Sequence, residues 1–182
     1  MFMHDTERPS DAAAIESLLD NVFGSNRKNK ASYRLRDGVE PLHGLSRVVR
    51  QGNRLVGTVR FWPVRVRDLL AGSHTDALLL GPLAVDPGLR GGGLGSSLMQ
   101  QALSLAENAG NKRILLVGDA AYYGRFGFVP VLPSFVTLPG GRDARRLLVR
   151  QSAALPSLPP VGRVEPARAS EDEREMRPRL AS

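Results

Sequence analysis

"LAVDPGLRGGGLGSSLMQQAL", Leu83 to Leu103, carries five glycines between an apolar run and an amphipathic one. Glycine costs backbone entropy and adds nothing to a core, so such a cluster needs a reason. At the start of a helix that reason is close approach. Bare N–H groups at the positive helix end can meet an anion, often a phosphate. Two nucleotide loops are excluded by residues their mechanisms require. A Walker loop counted from Gly88 needs lysine where Leu94 stands. A dinucleotide fingerprint fits Gly91 and Gly93 but meets Ser96 where its third glycine belongs.

Upstream, "ALLLGPLAV" (Ala77–Val85) is continuously apolar and predicts a central strand. Its Gly81-Pro82 step cannot sit in a regular ladder, because proline has no N–H to donate. The dipeptide predicts a bulge that splays the strand from its next neighbour and opens backbone groups to an extended ligand. "LSRVVRQ" and "RLVGTVRFWPVRV" flank Gly52-Asn53 and predict an antiparallel hairpin. Residues 25–44 are polar and basic and predict a loop with one short helix. Ile15, Leu18, Leu19, Val22 and Phe23 recur at helical spacing. They predict a helix over Asp11–Phe23, capped by Ser10 and stopped by Gly24.

Downstream, Leu94, Leu98, Ala102, Leu105, Ala106 and Ala109 mark one helix face, ended by Gly110. "RILLV" predicts a short buried strand. Asp119 then caps a brief helix, "AAYYGRF", stopped by Gly127. "FVPVLP", "SFVTL" and "RRLLVR" supply the last strands. From Leu155 prolines and charges dominate. The expectation is one domain over residues 1–154 and a flexible tail over 155–182.

Arg90-Gly91-Gly92-Gly93-Leu94-Gly95 fits the acetyl-CoA pattern [QR]-x-x-G-x-[GA]. With the joint run "GPLAVDPGLRGGGLG" and the later "GDAAYYGRFGF", the chain resembles the GNAT superfamily of N-acetyltransferases, most closely its YhbS-like branch. The likeness spans Asp5 to Val149 by order of elements and is specific within Gly81–Phe128. It implies an α/β (mixed α+β) acyl-CoA N-acyltransferase fold. Its sheet of six or seven strands would be splayed at a central bulge, with helices on both faces. It also implies acetyl-CoA as donor, its pyrophosphate held at Arg90, Gly91, Gly92, Gly93, Leu94, Gly95 and Ser96. The pantetheine arm would run beside Leu83, Ala84 and Val85. Tyr123 would be the acid that protonates the leaving thiolate, with Tyr122 its structural neighbour. No metal is implied. The acceptor implied is a small amine or amino acid. Protein amines, aminoacyl-tRNA and a non-catalytic acyl-CoA-sensing module are the other readings.

Composition bounds the rest. With 182 residues, 42% hydrophobic and 24% charged, the chain suits one soluble domain. Its net charge of +7 favours anionic ligands. It has no cysteine, hence no disulfide, no thiolate nucleophile and no Cys-ligated metal. Without an acyl carrier, transfer should be direct, within a ternary complex. "MFMHDTERPS" lacks a signal-peptide core, and no apolar run approaches ~18 residues. A cytoplasmic protein without membrane attachment, monomer or homodimer, is expected. Arg27, Lys28, Lys30, Arg34 and Arg36 could meet phosphates. With Arg60, Arg65 and Arg67 scattered among strand residues and no interleaved aromatics, a solvated loop is favoured over a nucleic-acid surface. His74, Asp76, Glu40 and His43 are the candidate bases.

Overall fold

The chain runs through β1 (Phe2–Thr6), α1 (Ala12–Phe23), α2 (Ala31–Arg34), β2 (Arg47–Gln51), β3 (Arg54–Asp68) and β4 (His74–Val85). Beyond the glycine loop come α3 (Leu94–Asn108), β5 (Arg113–Val117) and α4 (Ala120–Tyr123). Four strands follow: β6 (Val129–Pro130), β7 (Phe135–Thr137), β8 (Leu147–Gln151) and β9 (Val161–Pro166). The computed structural model describes residues 1–132, 135–140 and 144–168. No helix among them is long and apolar enough to cross a membrane.

Local chemistry accounts for the first elements. The β2–β3 hairpin closes through Gly52, at φ +59°. Helix α1 begins one residue later than expected and is not capped by Ser10. Asp11 occupies the cap position, yet its carboxylate accepts instead from the Arg8 N–H (2.9 Å) and Arg50 Nη2 (2.5 Å). The Gly24 N–H closes the helix onto the Asp20 carbonyl at 2.9 Å. On α3, Leu94, Leu98, Met99, Ala102, Leu103 and Ala106 are buried. Leu105 and Ala109, expected inward, are half-buried and exposed, because the helix rests on two i, i+4 rows.

Alternation along the strands sorts the core into two faces. Val49, Phe61, Leu80, Ile114 and Leu116 pack under α3. Val48, Leu55 and Ala84 face α1 on the other side, and Trp62, Leu79, Leu115, Val136 and Val164 continue that second layer. Nine strands form the mixed sheet among the described residues, more than the six or seven expected. Strand β1 adds an edge beside β2. The long strand β3 pairs with β2 over Arg54–Val59 and with β9 over Val64–Asp68. The expected loose tail from Leu155 is therefore corrected over Val161–Pro166, which pairs with both β3 and β7. Val164, its one buried hydrophobic side chain, seats it, and the pairing supplies the backbone bonds. Residues 169–182 of that expectation lie outside the described residues.

At the centre, β4 pairs antiparallel with β3 along nearly its whole length. The register breaks where Arg60 stands opposite Gly81-Pro82, whose peptide is cis. On its other edge β4 meets β5 in parallel only at Leu78↔Ile114 and Leu79↔Leu115. The two central strands part beyond that point. This is the splayed, mixed α/β sheet that Gly81-Pro82 predicts.

Candidate active site

Asp86 directs the chain from β4 into the glycine loop. Its Oδ1 accepts the Gly88 N–H at 3.0 Å, its other oxygen pairs with Arg54, and its own N–H donates to the Val56 carbonyl at 2.8 Å. Gly91 and Gly93 take φ of +86° and +76°, which L side chains rarely adopt. Nothing lies within 4 Å of where a Cβ would stand on either, so the space above them is open. The Ser97 N–H donates to the Gly93 carbonyl at 3.0 Å. Among the described residues the N–H groups of Gly91 to Ser96 donate to no protein acceptor. A bare positive helix end results.

This helix start opens on a groove of about 630 Å³. Its floor is the free edge of β4 at Leu83, Ala84 and Val85, whose other edge pairs with β3. Arg90, Gly91, Gly93, Leu94, Gly95 and Ser96 form its end, whereas Gly92 does not face it. Beyond Leu83 lies a second cavity of about 350 Å³, between the Gly81-Pro82 bulge and the ends of β5 and α4. Phe23, Leu83, Tyr122 and Tyr123 border both spaces.

Tyr123 is placed by packing. A Cβ on Gly118 would lie 2.3 Å from its Cε2, so only glycine lets the ring settle there. Tyr122 meets it edge-on at 4.9 Å between centroids, and Phe128 does so at 6.3 Å. Asp119 caps α4 by accepting the Ala121 N–H at 3.0 Å. Burial raises the Tyr123 phenol above its ordinary range, with a smaller push from Tyr122 and an opposing pull from Arg146. The side chain stays protonated at neutral pH, as a proton donor must.

The acetyltransferase (GNAT) family model matches residues 12–128, well over half the chain. The chain belongs to the GNAT acetyltransferase family. It is 34% identical to "uncharacterized N-acetyltransferase YhbS" of Escherichia coli K12 over 122 residues, which covers 67% of this chain and 70% of that protein. The crystal structure of that GNAT-family YhbS from Escherichia coli in complex with CoA superimposes with a TM-score of 0.70 at 30% identity. It covers 90% of this chain and 88% of its own. A GNAT acetyltransferase from Brucella melitensis, in complex with acetyl-CoA, shares the fold at TM-score 0.64 and 24% identity over 91% of this chain and 95% of its own.

In this GNAT chain the bulge and the second cavity beside it draw on residues to which the sequence pattern gave no site role. Trp62 donates its indole N–H to the Gly81 carbonyl at 2.7 Å, satisfying the bulge where the ladder fails. Its being the only tryptophan was the available signal. The basic segment is not simply a solvated loop. Arg27 is buried and charge-paired: its guanidinium donates to Glu16 (2.6 Å), Asp20 (2.8 Å) and the Tyr33 hydroxyl (2.9 Å). Arg36 and Arg146 also line the cavity, and nothing local in the sequence separates them from surface arginines.

The four candidate bases are not gathered at the site. His74 and Asp76 are exposed at the far end of β4, opposite Arg67 and Arg65. Glu40 is exposed, and His43 Nδ1 contacts buried Glu7 at 3.1 Å. None of the four borders the groove or the cavity. Among the described residues no His, Asp and Glu gather as a metal-binding group.

Proposed function

We propose that this acetyltransferase binds acetyl-CoA in the groove and moves its acetyl group directly to the primary amine of a small acceptor in the adjoining cavity. The observation that carries the reading is the continuous path from the bare start of α3, along the free edge at Leu83–Val85, to Tyr123. The N–H groups of Gly91 to Ser96 would hold the pyrophosphate, and the β4 edge would pair with the amides of the pantetheine arm. The donor supplies a thioester carbonyl that an uncharged amine can attack, with loss of a thiolate. A backbone N–H of Leu83–Val85 would steady the oxygen that gains charge. The Tyr123 phenol would give its proton to the departing sulfur and be reprotonated from solvent. With no carboxylate or imidazole among the four candidates at the site, the amine would shed its proton to water.

Calorimetry with acetyl-CoA tests the groove. A Cβ on Gly95 would sit 3.6 Å from Val85 Cγ2, an ordinary contact, but a larger side chain would enter the groove. Gly95→Val is expected to weaken binding about tenfold or more, worth about 1.4 kcal/mol or more. Thiol release from acetyl-CoA across amines, amino acids, peptides and aminoacyl-tRNA tests the transfer. Turnover with small amines supports the reading, and turnover confined to peptides or RNA overturns the acceptor. Tight acetyl-CoA binding with no release from any acceptor class would indicate a sensing module.

A further inference from the structure

The second cavity contains a cation with no carboxylate partner among the described residues. Arg36 Nε and Nη1 are shielded from solvent and have no hydrogen-bond partner among the described residues. No carboxylate forms an ion pair with this guanidinium among the described residues, whereas Arg27 beside it pairs with both Glu16 and Asp20. Its Cζ lies over the Tyr33 ring, 4.2 Å from the centroid, with the Trp62 ring at 5.6 Å. Its Nη2 comes within 3.8 Å of where a Gly81 Cβ would stand, so it is aimed at the bulge. Burial lowers its pKa to about 10, with Arg60 and Arg27 adding to the shift and Tyr33 opposing it. At neutral pH it remains a cation.

Desolvating a charge without a partner is costly, and folded chains avoid it unless something else recovers the loss. The cavity around Arg36 adds Lys30 and Arg146, and its one lining carboxylate, Asp119, is occupied as the α4 cap. The N–H fork of a guanidinium matches a planar carboxylate. We propose that Arg36 receives the carboxylate of the acetyl acceptor, so that the acceptors are amino acids or amines of that type. The proposal rests on the acetyl-transfer reading above. It separates free amino acids from peptide N-termini, whose neighbouring group is an uncharged amide.

The test compares L-amino acids with their carboxamides as acceptors, on wild-type protein and on Arg36→Gln. Thiol release, acetyl-CoA calorimetry and melting temperature are the readouts. Wild type is expected to favour the acids by about a hundredfold in kcat/KM, roughly the effect of leaving a buried charge unpaired. In Arg36→Gln that preference should collapse through the KM of the acid. Acetyl-CoA affinity and melting temperature should not fall. Acid and amide used alike by wild type, or a preference that survives Arg36→Gln, overturns the proposal and leaves acetyl transfer standing. If acetyl-CoA binds but no amine turns over, acetyl transfer fails instead. The anion site is then decided by calorimetry of the same amino acids on CoA-loaded protein, where Arg36-dependent binding supports it and no binding overturns it.

Discussion

Tyr123 borders both the groove and the cavity, and its raised pKa keeps the phenol protonated well above neutral pH. A leaving thiol of ordinary pKa, ~8.5, is a stronger acid than this phenol, so the phenol gives up its proton only once the sulfur carries its full charge, and regains it from solvent. Tyr123→Phe keeps the ring against Gly118 and Phe128 and removes only the hydroxyl. Turnover is expected to fall about a hundredfold with acetyl-CoA affinity nearly intact. Undiminished turnover in steady-state thiol release would make Tyr123 a packing residue and let the thiolate depart unprotonated.

At the scale of elements, the bulge in β4 is what separates this strand from β5 and gives the groove a floor. It is held from β3. The Trp62 indole N–H serves the Gly81 carbonyl, and this bond is buried. Trp62→Phe keeps most of the ring but leaves that carbonyl without its donor, at a cost of about 1–3 kcal/mol. A lower melting temperature and slower acetyl transfer are expected together. Wild-type turnover in this variant would show that strand pairing alone maintains the splay.

For the whole molecule, stability depends on contacts between distant segments. Val164 of β9 is fully buried beside β3, about a hundred residues away in sequence. Val164→Ala is expected to cost about 2 kcal/mol and lower the melting temperature by about 4–8 °C. An unchanged melting curve would mean that β9 adds pairing but no core. Acid should weaken the fold as well. Burial alone would raise the Asp11 carboxyl, but Arg50 and the Arg8 N–H outweigh it and hold it below its ordinary value. Glu16 is likewise raised by burial yet lowered overall by Arg27, Lys28 and Arg60. Carboxylates lowered on folding contribute stability that is complete above their unfolded values, about 4, and lost as pH falls through the folded ones. Chemical denaturation from pH 6 to pH 2 should show this decline, and Asp11→Asn should flatten it. An equal slope in that variant would remove Asp11 from the account.

The sequence by itself determined the features whose causes lie within a few residues. Glycines tolerate positive φ, so the loop from Gly91 to Gly93 and the Gly52 turn were legible. Proline lacks an N–H, so the break at Gly81-Pro82 was legible too, as were α3 from its periodicity and α4 from its Asp119 cap. Tertiary structure alone decided what each arginine of one basic segment became. Arg27 found Glu16 and Asp20 from α1, whereas Arg36 lies over the rings of Tyr33 and Trp62 with no carboxylate partner among the described residues, although both read alike in the chain. It also decided that β1 and β9, with little apolar pattern of their own, would join the sheet, and that Gly118 would admit Tyr123. Burial and charge compensation are set by neighbours that folding brings from elsewhere in the chain, and no local rule names those neighbours.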